Sequence, residues 1–148
     1  MSSAGHSLLN EVNMDAEKIE IDGRMYDVYI SYPSRIMEFE LVEGANSGVA
    51  LDFSEIRDIG GTKYKYTMSV MPNPQSPDDF DKLIDCISAP VACHTVKMPY
   101  GQSWIEFNAI IRSGSVIDYG VKGAQRIWGD LQISFDAQKP QRLPRGTI

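Results

Sequence analysis

Among the side chains that could do chemistry, Cys86, Cys93, His94 and His6 come first. Thiolate sulfur and imidazole nitrogen are good zinc ligands, and a thiol beside an imidazole is what a cysteine hydrolase needs. Spacing weakens both readings. A structural zinc site takes about four ligands in a recognisable pattern, whereas His94 stands next to Cys93 and His6 lies far away in a polar segment. Neighbours on a strand point to opposite faces, so Cys93 and His94 cannot act as nucleophile and base. His94 is expected to be a strand residue with an ordinary hydrogen bond, and no catalytic residue, metal or cofactor is expected. The acids Asp78, Asp79, Asp81 and Asp85 lack the glycine-centred loop of a calcium site. Gly60-Gly61-Thr62-Lys63 lacks the earlier glycine and the following helix of a phosphate loop. Tyr64, Tyr66, Trp104, Tyr119 and Trp128 could form a binding platform, but aromatics on strands more often fill cores or pair across strands.

The elements around these residues are mostly strands. Ile19-Glu20-Ile21 and Met25 to Ile30 flank Asp22-Gly23, a hairpin signal because both central positions of such a turn need positive φ. Arg35 to Val42 alternates, with Met37, Phe39 and Leu41 opposite Glu38 and Glu40, which predicts a half-buried strand. Residues 43–62 lack periodicity and predict a long, functional loop. From Lys63 to Met71 the alternation puts Tyr64, Tyr66, Met68 and Val70 inward. The helix expected over 77–88 has Ser76 as N-cap, Pro77 in its first position, Asp78 and Asp79 where the dipole favours them, and an apolar stripe of Phe80, Leu83, Ile84 and Ile87. Four further strands follow, the last placing Leu131, Ile133, Phe135 and Ala137 on one face with Ile127 and Gly129. About seven strands and one covering amphipathic helix predict a mainly β domain, a β-sandwich or partly closed barrel, over 18–138. A flexible arm (1–17) precedes it and an extended arm (139–148) follows it.

At 148 residues the chain can bury a core, about 70% of its unfolded surface for this size. A net charge of −6 disfavours binding to a phosphate backbone. The sequence shows no signal segment and no apolar run long enough to span a membrane. A reduced chain without a Cys86–Cys93 disulfide is expected.

Several words stand in a set order: Ser88-Ala89-Pro90-Val91, His94-Thr95-Val96, Pro99-Tyr100-Gly101-Gln102, Trp128-Gly129-Asp130-Leu131 and Pro140-Gln141-Arg142-Leu143-Pro144. Upstream stand Glu43-Gly44-Ala45-Asn46-Ser47-Gly48, Arg57-Asp58-Ile59-Gly60-Gly61-Thr62 and Tyr64-Lys65-Tyr66. Over residues 36–144 the chain resembles small phage and prophage tail structural proteins, the Firmicute-type siphophage components of tail tube or distal tail. The resemblance implies a tail-tube-like fold, a place in the virion tail after synthesis in the host cytoplasm, and no enzymatic activity. Implied partners are further copies of the chain, in a ring-forming homo-oligomer such as a hexamer, and other tail proteins, with neither sequence-specific nucleic acid nor membrane. An acidic body (Glu38, Glu40, Glu43) and a basic tail suit head-to-tail contact. The expected interface residues are Asn46, Arg57, Asp58, Lys139, Arg142 and Arg145. The alternative is a host-surface or carbohydrate-binding module at the tail tip, using Tyr100, Trp104 and the 43–62 loop. A small hydrolase lacks a coupled acid, base and nucleophile.

Overall fold

The computed structural model describes residues 19–43, 48–49, 51–52 and 54–144. Its strands are β1 (Ile19–Ile21), β2 (Arg24–Tyr26), β3 (Val28–Ile30), β4 (Ile36–Glu43), β5 (Gly48–Val49), β6 (Glu55–Ile56), β7 (Ile59–Pro72), β8 (His94–Tyr100), β9 (Ser103–Ile110), β10 (Gly114–Lys122) and β11 (Gln125–Ala137). One helix, α1 (Pro77–Ile87), lies between β7 and β8. Nine strands form one antiparallel sheet with the path β2-β1-β8-β9-β11-β7-β3, and β5 pairs with β6 in a separate small ribbon.

The long strands β7 and β11 make the spine, paired from Leu131↔Val70 to Asp136↔Lys65. Their alternation is the one the sequence predicts: Tyr64, Tyr66, Met68 and Val70 lie beside Leu131, Ile133, Phe135 and Ala137, all buried in the core. Phe80, Leu83 and Ile87 of α1 complete it. The Asp-Gly hairpin also forms, with φ of 53° at Asp22 and 81° at Gly23.

The sheet path begins at β2 and ends at β3, yet these strands are separated in sequence only by Asp27. One extended segment thus passes from one free edge of the sheet to the other and brings the barrel nearly to closure. Asp27 sits at that seam. Its N–H donates to Asp79 Oδ2 (2.8 Å), and its carboxylate accepts from Asn73 Nδ2 (3.0 Å) and Ser76 Oγ (2.6 Å). The Ser76 hydroxyl is therefore spent on the seam and does not cap α1; the N-cap position is as expected, the capping bond is not. Asp27→Ala would leave buried Asn73 and the Ser76 hydroxyl without this acceptor. Bonds to a charged group contribute about 1.5–3 kcal/mol, so urea denaturation should show a loss in that range. A change under about 0.5 kcal/mol, the level of an ordinary surface substitution, would mean that the seam is held elsewhere.

Three expectations are corrected. The barrel has more, shorter strands than seven, because the 18–30 region is cut by the hairpin and by the seam. The long loop expected over 43–62 is shorter than that: β7 already starts at Ile59, and β5 and β6 pair within the segment. Finally, β4 is not half-buried, since Ile36, Met37, Phe39 and Leu41 are all exposed. Among the described residues it pairs with β7 alone, and its apolar side chains Met37, Phe39 and Leu41 line an open groove with Arg142 and Leu143.

Candidate functional site

Two places stand out. The first joins three elements that are distant in sequence. Asp22 lies in the β1–β2 turn, Cys86 in the last turn of α1, and His94 begins β8. Their donor atoms lie within 4.8 Å of one another. His94 Nδ1 is 2.7 Å from Asp22 Oδ2, and Cys86 Sγ is 3.8 Å from each. A carboxylate only accepts, so Nδ1 carries a proton and donates it, which leaves Nε2 as the second ring nitrogen to be accounted for. That Nε2 is buried and has no partner among the described residues. The turn holds Asp22 firmly: Oδ1 accepts the Thr95 N–H (2.8 Å), and the Asp22 N–H donates to the Thr95 carbonyl (2.7 Å).

Electrostatics follow from this packing. Burial works to raise the Asp22 carboxyl, but the bonds from His94 and the Thr95 amide outweigh it, and the net direction is down. Burial pushes the Cys86 thiol up. Burial, reinforced by the hydrogen bond with Cys86, pushes the Tyr26 phenol up to about 12. Cysteine and aspartate both lie on Nδ1, so this is not a catalytic triad, in which the nucleophile and the carboxylate take opposite ring nitrogens.

The second place is a pair of ribbons. Antiparallel register carries the first part of β7 beyond the end of β11, and the first part of β11 beyond the end of β7. β4 pairs with the former from Ile36↔Thr67 to Glu43↔Ile59, and β10 pairs with the latter from Gly114↔Ile133 to Lys122↔Gln125. Two ribbons therefore leave the barrel at opposite ends of the spine. On the first, Phe39 is 65% exposed; on the second, Ile117, Tyr119 and Val121 are exposed, with Val121 at 61%. A groove of about 550 Å³ runs along the first ribbon between Phe39, Leu41, Tyr64, Arg142 and Leu143.

The expected interface residues are partly brought together. Arg142 lines that groove, and its backbone is tied to β7: Thr62 donates to the Arg142 carbonyl (2.8 Å) and Gln141 donates to the Thr62 carbonyl (2.7 Å). Lys139 is exposed at the start of the same strap. Arg57 pairs with Glu43 at 3.3 Å within the subunit, and Asp58 is also engaged. Asn46 and Arg145 lie outside the described residues, as does the 1–17 arm with His6. Glu38 and Glu40 stand directly across from Lys65 and Lys63. Of the acids placed on β4 to meet a neighbour's basic tail, Glu43 is paired inside the subunit, and the exposed side chains beside them on β4 are apolar. Of the proposed carbohydrate-binding pair, Trp104 is 53% exposed, but Tyr100 is half-buried, edge-on to Tyr64 at 5.5 Å.

Compared with known protein families and with curated proteins, the chain matches neither a family model nor an individual sequence. Its class is a mainly β, nearly closed barrel with a single helix among the described residues. No helix among those residues is long and apolar enough to cross a membrane.

Proposed function

We propose that the protein is a phage tail structural subunit that assembles head to tail, as part of a tail tube, distal tail or tail tip. One observation supports this above the resemblance in sequence: two apolar ribbons project from opposite ends of one rigid spine. A strand edge without a covering layer is a template for pairing with another chain, and proteins that stay monomeric blunt such edges. Glu38 and Glu40 do so only in part, because Phe39 and Leu41 between and beside them are exposed on the same strand. Two different surfaces at opposite ends make a heterologous contact, and such contacts yield rings when the rotation closes. The exposed Trp104 leaves a carbohydrate-binding role with one open aromatic and a half-buried partner, a weaker basis.

Analytical ultracentrifugation with negative-stain microscopy tests the reading. The wild-type chain should self-associate into rings, and Phe39→Lys should weaken association at least tenfold, about 1.4 kcal/mol. Its melting temperature should hardly move, because Phe39 is mostly exposed and surface substitutions usually stay within about 0.5 kcal/mol. Arg142→Glu should act in the same direction. A strict monomer at high concentration, absent from any tail particle, would sink the proposal.

A further inference from the structure

Beyond assembly, we propose that Asp22, Cys86 and His94 form a zinc site with three protein ligands and an open fourth position. The donors are one thiol sulfur, one imidazole nitrogen and one carboxylate oxygen, the set that suits zinc and excludes magnesium and calcium, which take oxygen. A tetrahedron with zinc bonds of about 2.0–2.3 Å separates donors by roughly 3.4–3.6 Å. Here the two sulfur separations are 3.8 Å and the nitrogen–oxygen separation is 2.7 Å. A few tenths of an ångström of closure at sulfur, and about 0.7 Å of opening where a hydrogen bond now sits, would admit the ion. That hydrogen bond is the one zinc replaces.

Binding balances in protons and charge. The Cys86 thiol releases its proton to solvent and becomes the ligand. His94 stays neutral, its proton passing from Nδ1 to Nε2 so that Nδ1 offers its lone pair. Thiolate and carboxylate together match the two positive charges. Nε2 has no described partner before binding, so the move leaves the same single buried atom unanswered and adds no second one. The surroundings already orient the ligands, as outer partners do at metal sites. Thr95 N–H holds Oδ1 and leaves Oδ2 for the ion, and the Tyr26 hydroxyl bonds to Cys86. His94 is buried while the Asp22 side chain is 47% exposed, so the fourth position opens on the solvent side and takes water. The ion would tie the end of α1 to the barrel wall at β1 and β8.

Cobalt(II) is the probe, because a tetrahedral thiolate site gives it visible ligand-field bands and a near-ultraviolet sulfur-to-metal band. The full chain, reduced and stripped of metal, should develop both with one equivalent, zinc should bleach them, and zinc should raise the melting temperature. Cys86→Ser should lose the sulfur band and weaken zinc binding by more than the roughly 10- to 100-fold expected for loss of an outer partner. His94→Gln and Asp22→Asn should weaken it similarly, while Cys93→Ser should bind as wild type. Circular dichroism would establish that each variant is folded, and Cys86→Ala serves if the serine form is not. A folded wild-type chain with no sulfur band at stoichiometric cobalt would overturn the assignment, as would a band that survives in Cys86→Ser.

Discussion

Phe80→Ala should cost about 3–5 kcal/mol, the range of large aromatic truncations in cores. Phe80 is fully buried. It meets the Trp128 ring edge-on at 6.0 Å, and the Trp128 Nε1–H donates to Asp81 Oδ1 one residue further along α1 (2.9 Å). Removing the phenyl ring opens a cavity between helix and spine and also frees Trp128. Domains of this kind have about 5–15 kcal/mol in total, so one substitution would remove a large share. The measurement is the urea midpoint at unchanged m-value, with Trp128 fluorescence as the local reporter. A loss below about 1 kcal/mol, the centre of the distribution for point changes in general, would show that α1 is not part of the core.

Gly61→Val should be the second severe change. Gly61 has φ of 129°, and a Cβ there would lie 2.5 Å from the Arg142 carbonyl oxygen and 2.7 Å from Pro140 Cβ. Backbone strain of this kind costs about 1–3 kcal/mol and overpacking a further 1–3 kcal/mol or so. The chain can escape part of this by lifting the 139–144 strap off β7, giving up the Thr62 bonds. The expected result is therefore a loss of about 2–5 kcal/mol together with fast amide exchange at Thr62 and Gln141 and trypsin cleavage after Arg142. Wild-type stability with wild-type resistance to trypsin would show that the strap does not press on Gly61.

Local patterns in the sequence reach as far as local physics does. Tyr64, Tyr66, Met68 and Val70 alternate because one side of β7 is wet, and Phe80, Leu83 and Ile87 recur because one side of α1 is dry. Asp22-Gly23 is readable because few residues accept positive φ. The same alternation in Met37, Phe39 and Leu41 misleads, since a pattern of two faces says nothing about whether any layer covers the apolar one. Ile127 likewise shares the period of Leu131 and Ile133 but lies on the projecting ribbon and is 37% exposed. The seam at Asp27 depends on where the sheet's last edge arrives, which no short window contains. The Asp22–Cys86–His94 cluster spans 72 residues from aspartate to histidine. In sequence His94 stands beside Cys93, whereas the thiol that approaches it is Cys86, eight residues back across the Pro90 turn. The signal in the sequence is Asp22 itself, a third ligand type held in place by the tight Asp22-Gly23 turn.

The spine has a consequence for the order in which the protein can fold. β11 is the last strand described, yet β7, β9 and β10 all pair with it. Until synthesis has passed Ala137, β7 and β9 have no partner on the sides that face each other in the finished barrel. Unpaired edges on a partly made sheet invite pairing with other chains, and contacts between residues this far apart close slowly. Until that point the nascent chain is an open, sticky half-barrel. Expression should accordingly be sensitive to truncation before Ala137 and to growth temperature, well beyond what the stability of the finished barrel would suggest.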